Sequence, residues 1–149
     1  KDTDGYHKDI FKWNDKRVVP HMRTYYNNIN TYHLSYAAWG QNNSGKDNDY
    51  IRLRRYMPQN NTGLKNTEIE GDYSNTSLFN TGETFMITVI KYNDKVWMNI
   101  ESKSDKNKKL LCEWDTSEYP DLSEGRIGLR HMHTRSARYK NFKVWQICE

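Results

Sequence analysis

The apolar residues of this chain come in short runs. The runs are β-branched or aromatic and are closed off by Asn, Asp, Gly or Pro. That is the signature of strands, and no stretch carries the periodicity of a convincing amphipathic helix. Strands are expected at Tyr32–Trp39, Tyr50–Met57 (ended by Pro58), Phe85–Tyr92, Lys95–Ser102, Lys109–Trp114, Gly125–His131 and Arg138–Gln146. Asn93-Asp94 makes the clearest hairpin turn, and residues 104–108 make a second. Residues 1–24, 41–49 and 59–82 read as irregular, the last broken by Gly63, Gly71 and Gly82. About seven strands without helices predict an all-β chain, an antiparallel sandwich or jelly roll. No linker or repeat divides residues 1–149, so a single domain is expected.

Neighbouring side chains on a strand point to opposite faces. Ile51 and Leu53 therefore read as core, with Arg52, Arg54 and Tyr56 on the other face. Val96, Met98 and Ile100 read as core, with Trp97, Asn99 and Glu101 outside. Ile127, Leu129, Phe142 and Val144 read as further core strand positions. An outer face of rings, guanidinium, amide and carboxylate suits a saccharide groove. Sugar C–H faces stack on rings, and hydroxyls pair with amides.

Composition narrows the partner. Only 35% of residues are apolar, and mean hydropathy is −1.09, yet 13% are aromatic, which a disordered chain would lack. The net charge of +4 and pI near 9.0 favour an anionic partner. The 19 acidic residues are interspersed with the 23 basic ones, and no long basic run occurs, which argues against nucleic acid. No apolar run approaches the roughly 18 residues of a membrane helix. Cys112 and Cys148 lie in no zinc or redox spacing, and whether they form a disulfide is left open. The start at Lys1-Asp2-Thr3, without Met, leads us to expect that an upstream segment has been removed. Asn42, Asn60 and Asn75 open matches to the glycosylation pattern. A secreted or periplasmic location is expected, with the cytoplasm as the alternative.

Several residue groups are candidates for chemistry. His33 and Tyr36 could exchange protons, but their spacing puts them on opposite faces of a regular strand unless a bulge intervenes. Arg52 and Arg54 share one face about 7 Å apart and could hold a carboxylate or sulfate. The plainer reading is a salt-bridged face, with Glu101 as partner. Residues 126–138 hold four Arg and two His. His131 and His133 have metal-ligand spacing but no local carboxylate to complete a site. Arg130 or Arg138 could serve a buried ion pair, and Arg130 and Arg135 could contact substrate. Glu68-Ile69-Glu70-Gly71-Asp72 resembles the clustered acids of sandwich-fold glycosidases, but its loop context reads as solvated acids. Cys112-Glu113-Trp114-Asp115 reads as a strand end with surface acids. Asp47, Asp49 and Asp94 could form a structural calcium site. No other cofactor is expected.

Two segments resemble a family. Tyr25-Tyr26-Asn27-Asn28-Ile29-Asn30-Thr31-Tyr32-His33-Leu34-Ser35-Tyr36 is similar to the "HxGDxNxYHxSY" signature of the YesU-like family of unknown function. Gly125 to Val144 resembles that family's closing "GxIGxRxM…AxYxxFxV". Tyr50 to Tyr56 sits where the family has an Arg-bearing strand, so the likeness spans most of residues 20–146. The resemblance implies a concanavalin A-like sandwich, a role in polysaccharide metabolism, and about 60 further residues of early strands in family members. This chain departs from the signature at Tyr25, Tyr26, Asn27 and Asn28, where the family has His and Gly-Asp.

The expected function is action on an acidic oligo- or polysaccharide, with neither nucleic acid nor membrane as partner. The expected mechanism is β-elimination. His33, Tyr36, His131 and His133 are the candidate catalytic residues. Arg52, Arg54, Tyr56, Trp97, Asn99, Glu101, Arg130 and Arg135 are the candidate substrate contacts. The alternatives are a non-catalytic sugar-binding module and a glycoside hydrolase using Glu101.

Overall fold

A computed structural model describes residues 29–37, 49–57, 64–71, 73–79, 82–129 and 138–148. Among these the chain is all-β, with two antiparallel three-stranded sheets and no α-helix. The first sheet has β1 (Thr31–Ala37), β2 (Tyr50–Tyr56) and the short β3 (Tyr73–Ser74), in that order. The second has β4 (Phe85–Tyr92), β5 (Lys95–Ser102) and β6 (Lys109–Asp115). A 3₁₀ turn spans Leu64–Thr67.

Turn chemistry fixes the second sheet. Tyr92 pairs with Lys95, leaving Asn93-Asp94 as a two-residue loop. Asn93 sits at φ 46°, a left-handed conformation that Asn tolerates better than most side chains. The register then puts Val96, Met98 and Ile100 opposite Trp114, Cys112 and Leu110. Ile51, Leu53, Ile69, Leu78 and Phe79 join them in one buried cluster that both sheets share. Trp114 is its largest member and packs edge-on to Tyr73 at 5.3 Å. Gly71 is needed there. Its φ is +151°, and a Cβ would stand 2.9 Å from the Trp114 indole nitrogen.

The expected core positions of β2 and β5 are buried as alternation requires. The outer positions of β2 are not all open, because residues 67–69 pair along the edge of β2, on the side that β3 also occupies, and bring the Thr67 and Glu68 side chains to Arg54. Ile69 N–H donates to the Leu53 carbonyl at 2.9 Å, and Arg54 bridges to Glu68. Arg54 and Tyr56 are both buried, contrary to the expectation of an open outer face.

The expected closing strands are a second correction. Residues 125–129 and 138–148 have no strand pairing. Ile127, Leu129, Phe142 and Val144, expected in the core, are all more than half exposed, at 66, 51, 55 and 57%. Alternation says which face a strand could bury, but a strand also needs a neighbour for its N–H and C=O groups. Residues 130–137 lie outside the described residues.

β3 was not anticipated. It lies inside the expected loop, and the Asp49 carboxylate anchors the turn after it. Thr76 N–H and Oγ1 each donate to that carboxylate at 2.5 Å, and Leu78 N–H donates at 3.3 Å. Asp49 thus closes a turn, while Asp94 sits exposed in the β4–β5 hairpin. Among the described residues no group of three or more His, Cys, Asp or Glu could hold a metal ion. Asp47, the third expected calcium ligand, lies outside them. Cys112 is buried and Cys148 exposed, and both are free thiols.

Candidate functional site

The outer face of the first sheet gathers the most chemistry. In the β1–β2 register His33 pairs with Arg54, Ser35 with Arg52, and Thr31 with Tyr56. Paired residues share a face, so His33, Arg52, Arg54 and Tyr56 all project from the same side. His33 Nδ1 lies 2.8 Å from the Tyr56 hydroxyl, with ring centroids 5.2 Å apart. Either tautomer closes this bond: with Nδ1 unprotonated the phenol donates, and with the ring proton on Nδ1 the imidazole donates and Nε2 is left free. Tyr56 is buried and His33 only half-buried, so the phenol orients the imidazole and the imidazole is the member within reach of solvent.

Glu68 couples the two arginines. Arg54 Nη2 donates to Glu68 Oε1 at 2.5 Å, and Arg52 Nη1 donates to the same oxygen at 3.5 Å. Arg54 also donates to Thr67 Oγ1 at 3.2 Å, and its side chain is only 10% exposed. Arg52 differs. Its side chain is 42% exposed, and its guanidinium rests on the Tyr50 ring, 4.5 Å from the centroid. Arg54 is therefore a structural charge, whereas Arg52 can turn outward to a ligand. Beside them is an open cavity of about 520 Å³ lined by Arg52, Glu68, Ile69, Glu70 and Gly71. The stretch that reads as loop acids thus supplies the carboxylates of this site, and Glu68, not Glu101, is the arginines' partner. The signal available beforehand was the even spacing of Glu68 and Glu70, but it needed knowledge that this segment pairs along the edge of β2.

Tyr36 lies elsewhere. It pairs with Ile51, packs on the core side, and stacks on Phe79 at 5.0 Å. Its hydroxyl hydrogen-bonds that of Tyr139 at 3.1 Å. Burial first, and then Tyr139, hold the phenol well above its ordinary pKa. His33 and Tyr36 are thus on opposite faces, and β1 pairs with β2 without a break in register.

Trp97, Asn99 and Glu101 occupy a different surface, the outer face of the second sheet. Trp97 Nε1 donates to Glu113 Oε2 at 2.9 Å, and Asn99 Nδ2 donates to Glu101 Oε1 at 3.1 Å. Lys95 is ion-paired with Glu113. Hydrogen bonds from Lys95 and Trp97 hold the Glu113 carboxyl below the usual carboxylate range. The structure therefore does not join the β2 arginines and the β5 tryptophan into one groove. Each side of the shared core carries one of them. Arg130, His131, His133 and Arg135 lie outside the described residues.

No family model, curated protein or solved structure matches this chain. Among the described residues, no helix is long and apolar enough to cross a membrane.

Proposed function

We propose that this protein is a carbohydrate-active β-sandwich of the concanavalin A-like type, with kinship to the YesU-like family, secreted or periplasmic, and that it takes an acidic saccharide on the outer face of β1 and β2. One observation carries this reading: the partly exposed Arg52 stands on the same face as the His33–Tyr56 pair, with Arg54 between them. A guanidinium binds a carboxylate through two parallel hydrogen bonds. An oriented imidazole beside it supplies a base at neutral pH.

The reaction this arrangement suits is β-elimination. Arg52 neutralises the uronate carboxylate, which acidifies the adjacent C–H. With its ring proton on Nδ1 and donated to the Tyr56 hydroxyl oxygen, His33 Nε2 is free to take the hydrogen on that carbon; the C–H electron pair forms the double bond, and the glycosidic oxygen leaves, taking a proton from water. Tyr56 holds the ring in place. The test is incubation with pectin, rhamnogalacturonan, alginate and ulvan-type polymers while following ultraviolet absorbance of unsaturated ends. Product with wild type and none with His33→Ala supports the reaction, and no product with any polymer refutes it.

A second reading, a non-catalytic acidic-sugar module, has its own support. Elimination needs an acid as well as a base, and burial of Tyr56 leaves His33 as the accessible titrating group of the pair. It predicts saturable uronate binding without turnover. Glu68 and Glu70 also line the cavity, so release of reducing ends without unsaturated product would favour the hydrolase alternative.

A further inference from the structure

The outer face of the second sheet has features of a site in its own right. Along β5 the side chains of Lys95, Trp97, Asn99 and Glu101 project from one side, successive ones about 7 Å apart. On β4, Ile90 pairs with Trp97 and Tyr92 with Lys95. Tyr92 is thus the diagonal neighbour of Trp97, within reach of a large ring. The Trp97 indole is pinned at its nitrogen by Glu113, which Lys95 holds from the other side. A pinned, half-exposed ring loses little freedom on binding. Asn99 and Glu101 continue the row with an amide and a carboxylate, the groups that pair with sugar hydroxyls.

The charge of this face sets its preference. Lys95 and Lys109 stand against Glu101, Glu113 and Asp115, and the outward residues of β4 (Met86, Thr88, Ile90 and Tyr92) are uncharged. Carboxylates outnumber ammonium groups, so a uronate gains nothing here. On the first sheet Arg52 and Arg54 equal Glu68 and Glu70 in number, and Arg52 keeps a partly exposed guanidinium there. Flanking Met86, Ile90 and Leu111 are 45, 40 and 59% exposed and present apolar surface to sugar C–H faces.

From this we infer that the β4–β6 outer face is a second, separate binding site, for a neutral glycan, with Trp97 as its stacking platform and Asn99 and Glu101 as its hydroxyl partners. A chain with an acidic-sugar site on one side and a neutral-sugar site on the other holds two polysaccharides at once. The neutral site stands without the acidic one, while the bridging role rests on the proposed acidic-sugar reading.

The experiment is calorimetric titration of the protein with neutral hexasaccharides from cellulose, xylan, mannan and galactan, and with hexagalacturonate. At least one neutral ligand is expected to bind. Trp97→Ala weakens it about tenfold or more, as expected for a central aromatic anchor, and leaves hexagalacturonate binding unchanged. Trp97→Phe, which keeps a ring, retains part of the affinity. Arg52→Ala shows the reverse pattern. If hexagalacturonate fails to bind but a neutral ligand does, the neutral site stands and the acidic reading falls. Absence of neutral binding overturns the inference. So does neutral binding that Trp97→Ala leaves intact, or a Trp97-dependent self-association without sugar binding.

Discussion

Glu68→Gln is expected to move stability and affinity in opposite directions. Glu68 accepts from Arg54 at 2.5 Å and from Arg52 at 3.5 Å, and its side chain is 35% exposed. Fully exposed pairs contribute up to about 1 kcal/mol, while stripping one partner from a buried pair costs about 3–5. This pair lies between the two, so a loss of about 1–2 kcal/mol is expected, or roughly 3–8 °C in Tm. The same substitution removes the carboxylate that competes for Arg52. A charge-assisted hydrogen bond contributes about 1.5–3 kcal/mol. Discounting that for solvent exposure leaves about 1 kcal/mol, a gain of about fivefold in affinity for an anionic oligosaccharide. Urea denaturation and calorimetric titration with hexagalacturonate measure the two effects. Glu101→Gln makes the same change in net charge on the other sheet and should leave acidic-sugar affinity unchanged. If Glu68→Gln binds hexagalacturonate no tighter than wild type, or Glu101→Gln gains equally, the reasoning about Arg52 is wrong.

Other outcomes follow from the core and its titrating groups. Gly71→Ala should cost about 2–4 kcal/mol, since the new Cβ meets the buried Trp114 ring and the backbone is left-handed there; wild-type stability in urea would contradict this. Cys148 should react with a thiol reagent in the folded protein. Cys112, its thiol pushed up to about 11 by burial, should react only on unfolding; two fast thiols would refute the buried position. Because folding raises the Tyr36 pKa, the stability this provides is complete below the phenol's ordinary value of about 10 and is lost as pH rises beyond it. Tyr36→Phe should flatten that alkaline loss in a series of urea melts, and an unchanged slope would show that Tyr36 is not its source.

The parts legible in the sequence were those set by nearest neighbours along the chain. Alternation and the Asn93-Asp94 turn were enough to locate the β4–β5 hairpin and to put Ile51, Leu53, Val96, Met98 and Ile100 inside. They also put Arg52, Arg54 and Tyr56 on one face. What depended on distant pairing was not legible. The pairing of residues 67–69 with the edge of β2 brings Glu68 to Arg54 and Glu70 to the cavity, and the short alternation of Thr67, Glu68, Ile69 and Glu70 does not say which strand it joins. Only the cross-strand register reveals that the imidazole of His33 meets Tyr56 and not Tyr36. The same limit explains Phe142 and Val144, whose strand-like pattern carries no information about which neighbour would pair them. Trp97 and Arg52 each read as outward-facing, but that reading could not assign them to two different sheets.

The claim that most needs testing is that Arg52 receives a carboxylate on the β1–β2 face. Titration of wild type and Arg52→Ala with hexagalacturonate, at two salt concentrations, tests it directly. Saturable binding by wild type, weakened about tenfold in Arg52→Ala and by added salt, is the expected result. Equal binding by the two proteins, or none by wild type, would contradict it.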